Sequence, residues 1–187
     1  VALPRRTGGT TAWQQLTGDE VGALLAADLL DATAAVSTPA DRLLVTTVVS
    51  SRLVPAMALA AGVHHEVTLT GFKWLCRPAM DHPGLRQLLA YEEALGYAVG
   101  AEARDKDGIT AAVAVLCALD SWRREGRSPW DVLDDLARRH GAHVTSNGSV
   151  PLAPGVDPAQ RCGDLARTAS VGGVQVVSVD HPAPDIT

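Results

Sequence analysis

The chain has 187 residues, of which 47% are hydrophobic, and its formal net charge at pH 7 is -5. An acidic chain offers no basic surface to a polyphosphate backbone, so we do not expect nucleic acid as a partner. The longest apolar run, residues 111–119, is too short to cross a bilayer, and no signal-like segment opens the sequence. We therefore expect a cytoplasmic protein without a membrane partner.

The first sixty residues predict two helices with a buried strand between them. No stable element is expected before Trp13. Thr17-Gly-Asp-Glu20 has the pattern of an N-capping box, which predicts a helix over about residues 18–34. The uninterrupted apolar run 43–50 is typical of a central strand that is covered on both faces. Serines then precede a helix predicted over 53–61.

The next eighty residues predict two more strands and two long helices. Strands are expected over about residues 66–70 and 86–91, and helices over 109–124 and 129–140. Strands that alternate with helices indicate an α/β sandwich. From residue 142 onward proline and glycine punctuate the chain, which suggests a linker and the start of a smaller α+β unit, with a hairpin near Gly172-Gly173 before a strand over 174–179.

Three short polar clusters follow apolar runs in the middle of the chain. They are Thr68-Leu-Thr-Gly-Phe-Lys-Trp74, Tyr91-Glu-Glu-Ala-Leu-Gly-Tyr97 and Asp105-Lys-Asp-Gly108. The chain has only two lysines, and both lie in these clusters. A sugar phosphate needs cations and N–H groups for its phosphate, and a carboxylate for its hydroxyls. Loops that follow buried strands are where such groups are presented.

These clusters, together with Leu16–Leu25 and Thr46–Ser51, resemble the third domain of the α-D-phosphohexomutases, the family of phosphoglucomutase and phosphomannomutase. The resemblance implies a three-layer α/β/α domain with a mixed, mostly parallel sheet over residues 13–141. It also implies that residues 1–12 are the tail of a preceding domain. Residues 142–187 would be a linker and an incomplete C-terminal domain, a partial α+β unit.

The resemblance also implies roles for individual residues. Glu92 matches the family's glutamate that contacts vicinal sugar hydroxyls, and Lys106 matches the lysine proposed as general acid/base, although neighbouring aspartates would suit a phosphate contact better. Ala94 stands where many hexomutases have a serine, a form that resembles the branch with mutases of hexoses and pentoses. The expected substrate-binding residues are Thr70, Gly71, Lys73, Glu92 and Glu93.

The activity implied is that of an isomerase that interconverts hexose 1-phosphate and 6-phosphate through a phosphoserine and a bisphosphate intermediate. The substrate would be a hexose or pentose phosphate. The phosphoserine loop and the Mg²⁺-binding aspartate loop of the family are missing from this sequence, so the remaining domains of the same polypeptide would supply them. The chain alone would be inactive and would hold no metal. A freestanding sugar-phosphate-binding module and an α/β scaffold domain are alternatives.

His64-His65-Glu66 could suggest metal ligands, whereas Asp105-x-Asp107-Gly108 lacks the remaining ligands of a calcium loop and is interpreted as a turn. Adjacent strand residues point to opposite faces, and no further His or Cys is suitably spaced in the sequence. We therefore expect no metal site here.

Overall fold

The computed structural model describes residues 1–146, 148 and 151–178. The chain divides into two compact units, Val1–Thr145 and Ser146–Thr187. Within the described part of the chain, no helix has the length and apolar character needed to cross a membrane.

The first unit holds six strands and six α-helices among the described residues. In chain order these are β1 (Ala2–Thr7), β2 (Thr10–Gln15), α1 (Gly18–Thr33), β3 (Arg42–Thr47), α2 (Leu53–Ala61), β4 (His64–Thr68), α3 (Phe72–Leu75), α4 (Arg77–Asp81), β5 (Arg86–Glu92), β6 (Gly96–Val99), α5 (Gly108–Arg124) and α6 (Pro129–His140). A short 3-10 helix, Pro39–Asp41, precedes β3.

Four of the strands form one sheet in the order β4-β3-β5-β6. β3 pairs in parallel with β4 and β5, and β6 pairs antiparallel to β5. The predicted mixed, mostly parallel sheet is therefore confirmed, as is the central position of the first predicted strand. Every residue of β3 is buried, as expected of a strand covered on both faces.

Helices cover both faces of this sheet. Leu44 and Leu89 belong to a large apolar cluster with α1, α2, α5 and α6. Leu43, Val45 and Ala90 point to the other face, where they pack against the short helices α3 and α4. Because strand side chains alternate between faces, one continuous apolar run supplies both layers of core. This arrangement confirms the three-layer α/β/α architecture.

Local end signals in the sequence set the helix boundaries. The Thr17 hydroxyl accepts from the N–H of Glu20 at 3.1 Å, and the Glu20 carboxylate accepts from the N–H of Thr17 at 2.7 Å. Ser128 begins α6 with a second capping box. Gly62 ends α2 in the left-handed region at φ 65°, where a glycine costs little. The predicted helices therefore lie within a residue of their observed bounds.

The strand predictions were less accurate. The expectation of no element before Trp13 was wrong, because β1 and β2 form an antiparallel hairpin there. Its Pro4 carbonyl accepts from Trp130 Nε1 at 3.3 Å, and the Arg5 guanidinium lies 4.7 Å from the Trp130 ring centroid. The strand predicted over 66–70 lies two residues earlier, and β6 was not predicted. The assignment of residues 1–12 to a preceding domain stays a prediction.

The second unit, described by itself, contains a helix and a small hairpin. Helix α7 (Pro158–Ala166) was not predicted; the Asp157 carboxylate caps it by accepting from the N–H of Ala159 at 3.0 Å. Strands β7 (Ser170–Val171) and β8 (Val174–Gln175) pair across the predicted turn. The predicted strand is thus shorter than expected in its described part, and its end at Val179 lies outside the described residues.

Close packing of α1 on β5 depends on Gly22. A Cβ at this position would lie 2.6–2.7 Å from ring atoms of Tyr91, which is fully buried. We predict that Gly22→Ala destabilises the fold by about 1–3 kcal/mol, because overpacking outweighs the helix propensity that alanine adds. Urea denaturation followed by circular dichroism measures this change.

Gly84→Ala is the matched control, since no atom lies within 4 Å of a Cβ built there. Its free energy of unfolding should change by less than about 0.5 kcal/mol. Equal effects of the two substitutions would contradict close packing at Gly22.

Candidate functional site

The candidate site lies at the edge of the sheet where the parallel strands end. β3, β4 and β5 all end at this edge because they run in parallel, and β6 begins here because it runs in the opposite direction. The segment before α5 is fixed at the same edge, since the N–H of Asp107 donates to the carbonyl of Tyr97 at 2.8 Å. The three polar clusters of the sequence are thereby brought together.

Glu92 ends β5 and contacts the loop that follows β4. Its Oε2 accepts from the N–H of Gly71 at 3.2 Å. Gly96 makes this approach possible, because a Cβ there would lie 2.7 Å from Glu92 Oε1 and 2.6 Å from the ring of Phe72. Two of the predicted substrate-binding positions, Gly71 and Glu92, are therefore in direct contact.

Lys106 reaches the same cluster through an aromatic ring. Its Nζ lies 5.6 Å from the ring centroid of Phe72, which is buried and follows Gly71. The ammonium also lies 3.5 Å from Asp105 Oδ1. Asp107 caps α5, and the N–H of Ile109 that donates to its carboxylate lowers the pKa of Asp107 below the usual value. Among the residues that the structure describes, Asp105 is the only one whose carboxylate forms an ion pair with the Lys106 ammonium.

Glu93 differs from Glu92 in its partners. Its Oε2 accepts from the hydroxyl of Thr47 at 3.1 Å and from that of Ser50 at 3.4 Å. These bonds join the turn after β5 to the loop after β3. The two neighbouring glutamates thus engage different neighbouring loops, and Glu93 acts as a link between segments of the protein itself.

The remaining predicted residues lie on the loop after β4. Thr70 is exposed. Gly71 has a φ of 103°, and no atom lies within 4 Å of the position that a Cβ would take there, so its backbone is open to an approaching molecule. Lys73 is exposed, and its Nζ lies 5.3 Å from the ring centroid of Trp74. The structure thus joins Gly71, Glu92 and Lys106 in one cluster and places Thr70 and Lys73 beside it.

The turn between β5 and β6 has an unusual backbone. Leu95 has a φ of 69°, in the left-handed region, and its side chain is 55% exposed. A branched residue is disfavoured there, and such strain is found most often at functional positions. Ala94, which precedes it, is exposed and brings no hydroxyl to the turn.

A buried carboxylate, Asp19, supports this edge from behind. Its Oδ1 accepts from the N–H of Ser51 at 2.8 Å and from the hydroxyl of Tyr91 at 3.0 Å, and its Oδ2 accepts from the hydroxyl of Thr145 at 2.6 Å. From the sequence, Asp19 needs no role beyond the helix cap. That interpretation was wrong, because its partners are distant in sequence and no local pattern marks them.

Two tyrosines complete the support. Tyr97 donates its hydroxyl to the carbonyl of Gly18 at 2.9 Å, and its ring stacks on that of Tyr91 with centroids 6.2 Å apart. Burial, followed by the charge of Asp19, raises the pKa of both phenols. Both phenols are therefore neutral hydrogen-bond donors at neutral pH.

The edge does not have the ligands of a magnesium site. Mg²⁺ is bound by carboxylates and other oxygen ligands, often with several waters retained. No group of three carboxylates comes together among residues 1–146, 148 and 151–178. The sequence also contains no Asp-x-Asp-x-Asp loop.

This fold has counterparts among known proteins. Residues 17–140 match the family model of phosphoglucomutase/phosphomannomutase, alpha/beta/alpha domain III. The chain belongs to this family, and the resemblance drawn from the motifs is confirmed. A Paramecium phosphoglucomutase, parafusin, in its open form shares the fold with a TM-score of 0.52 at 20% identity, over 68% of this chain and 21% of that one.

Curated relatives are similar over the same region. The "Probable phosphoribomutase" of Schizosaccharomyces pombe is 42% identical over 139 residues, which cover 73% of this chain and 24% of the relative. Human phosphopentomutase is 39% identical over 139 residues, or 71% of this chain and 23% of the relative. The chain thus spans about a quarter of the length of these relatives.

The role of Asp19 in holding this edge together can be tested by measuring the stability of a variant that lacks its carboxylate. Asp19→Ala removes the acceptor of three donors, and each buried donor left without a partner costs about 1–3 kcal/mol. We predict a loss of at least about 2 kcal/mol in the free energy of unfolding, measured by urea denaturation.

Asp31→Ala is a suitable control because Asp31 is an exposed aspartate of the same helix. It should change the stability by less than about 0.5 kcal/mol. If both alanine variants are equally stable, Asp19 does not hold the edge together.

Proposed function

We propose that this chain is the sugar-recognition part of a phosphomutase that acts on a pentose phosphate. The observation that carries the proposal is the contact between Gly71 and Glu92, with Lys106 at 5.6 Å from the intervening Phe72 ring. This edge of the sheet therefore carries a carboxylate, which can accept from the hydroxyls of a phosphorylated sugar, and a cation, which can bind its phosphate.

Glu92 is proposed to bind the hydroxyls of the sugar. Its Oε2 accepts from the N–H of Gly71 at 3.2 Å, which restricts the orientation of the carboxylate. No hydrogen bond to its Oε1 is found among the residues that the structure describes, so this oxygen is available to accept from a ligand. An ionised carboxylate accepts through both oxygens, and vicinal hydroxyls can donate to it as a pair.

Lys106 is proposed to contact the phosphate. Phosphoryl transfer is catalysed mainly by positioning and by stabilising negative charge, and an exposed ammonium at this rim can serve both purposes. A role in carrying the proton of the attacking hydroxyl is the further proposal drawn from the family resemblance. Thr70, Lys73 and Glu93 remain proposed contacts; the hydrogen bonds of Glu93 to Thr47 and Ser50 favour a positioning role for it.

A pentose phosphate is favoured over a hexose phosphate by the relatives. The names of the fission yeast and human relatives refer to a phosphoribomutase and a phosphopentomutase. Alanine at position 94 agrees with this choice, since the turn offers no hydroxyl to a further sugar hydroxyl. The hexose substrate expected from the sequence therefore becomes the alternative.

The other catalytic parts are proposed to come from the rest of a longer polypeptide. Those parts are the phosphoserine and the magnesium ligands, which this sequence lacks. We further propose a cytoplasmic location. The described cysteines Cys76, Cys117 and Cys162 are free thiols, as is usual in a reducing compartment.

Binding of the sugar phosphate can be followed by NMR titration of the chain with ribose 5-phosphate. We predict saturable shifts of the Gly71, Gly96 and Lys106 amides, with a weaker response to glucose 6-phosphate. Glu92→Gln should weaken binding at least tenfold, because a hydrogen bond to a charged group contributes about 1.5–3 kcal/mol.

Glu102→Gln, a change at an exposed glutamate between β6 and α5, should leave the dissociation constant unchanged. Tighter binding of glucose 6-phosphate would overturn the pentose assignment. Shifts that do not map to this edge, or no shifts at millimolar ligand, would favour the scaffold alternative.

The chain alone should show no mutase turnover, because it has neither the family's phosphoserine loop nor its magnesium loop. A coupled assay that starts from ribose 1-phosphate, with magnesium and a sugar bisphosphate added, would measure this. Turnover above that of a Glu92→Gln variant would show that the catalytic parts lie within these residues.

A further inference from the structure

Two histidines and a glutamate come together on the outer strand of the sheet, away from the candidate site. His64 and Glu66 are two residues apart on β4, so their side chains share one face. His82 follows α4 and joins them from the connection to β5. Glu66 Oε1 lies 3.3 Å from His64 Nε2 and 3.1 Å from His82 Nε2.

These distances fit the spacing of ligands around one metal ion. Zn–N bonds of about 2.0–2.1 Å place neighbouring ligand atoms of a tetrahedral site about 3.4 Å apart. One ligand atom from each of the three residues lies within 4.8 Å of the others. The two imidazole rings are edge to face with centroids 5.9 Å apart, and the Nε2 atoms of both lie close to the same oxygen, Glu66 Oε1.

His65, which lies between His64 and Glu66 in the sequence, does not belong to the cluster. His65 points to the opposite face of β4, where its Nε2 lies 3.0 Å from the hydroxyl of Thr46. Burial lowers the pKa of His65 to about 4. Strand alternation in the sequence correctly separated His65 from His64. The expectation of no metal ligands overlooked His82, because only the fold brings that residue near.

We propose that His64, Glu66 and His82 together bind one divalent cation such as Zn²⁺. Two imidazoles and a carboxylate suit Zn²⁺, Co²⁺ or Ni²⁺, whereas Mg²⁺ prefers oxygen ligands. The three side chains are 47%, 32% and 51% exposed, so an ion reaches them without opening the fold, and water completes its coordination.

The ion would tie the connection between β4 and β5 to the outer strand. Thr68, the last residue of β4, comes four positions after His64 and two after Glu66, so the cluster lies about 7–13 Å along the strand from the sugar-binding edge. Its role is therefore structural, and it does not depend on the proposed function. Glu66 Oε1 is hydrogen-bonded to His64 Nε2, and His82 Nε2 lies 3.1 Å from the same oxygen.

The test is calorimetric titration of the untagged, EDTA-treated chain with ZnCl₂. We expect one equivalent to bind, with at least tenfold weaker binding for His64→Ala and for His82→Ala. The thermal unfolding midpoint should rise with zinc in the wild-type chain and not in these variants. Glu66→Gln, which keeps the side-chain shape, should also weaken binding.

His143→Ala is the matched control, because this histidine bonds to the carbonyl of His140 and lies outside the cluster. It should bind zinc as the wild type does. Titration with Co²⁺ identifies the ligands, since the exposed thiols of Cys117 and Cys162 would give a thiolate charge-transfer band. Any one of three results would overturn the proposal: such a band, unchanged affinity in a folded His82→Ala variant, or no saturable binding below about 1 mM.

Discussion

The buried carboxylate of Asp19 is the interaction on which the geometry of the first unit depends most. A buried carboxylate is stable only when its hydrogen-bond partners are in place, because each buried polar group left without a partner costs about 1–3 kcal/mol. The donors come from Ser51, Tyr91 and Thr145, in three separate parts of the chain. One side chain near the start of α1 therefore fixes the loop after β3, the end of β5 and the segment after α6 at once.

This constraint explains why two adjacent glutamates can take different roles. Because Tyr91 is anchored on Asp19, the end of β5 has a fixed orientation, and Glu92 and Glu93 diverge from it. Glu93 then binds hydroxyls of the protein, while Glu92 is oriented by the N–H of Gly71. A rigid support behind the strand end keeps the carboxylate in place before any ligand arrives, which lowers the entropic cost of binding.

Features with a local physical cause could be predicted from the sequence, and features that arise from distant contacts could not. The capping box at Thr17 and the Ser128-Pro129 pair are local signals, so the helices that they begin were found. Strand β6 has only four residues and no turn dipeptide before it, so it was missed. Of the candidate site, the loops were predicted because motifs mark them; their contacts, the role of Asp19 and the approach of His82 required the fold.

The connection between β4 and β5 runs from one end of the sheet to the other. At one end Gly71 donates to Glu92, and at the other His82 contacts Glu66, so polar contacts hold both ends of the same connection. Between them Phe72 and Leu75 pack into the smaller apolar cluster. A short helical segment has little stability of its own, so these fixed ends determine where it lies. The position of the loop that carries Gly71 is therefore set in part by residues of the outer strand.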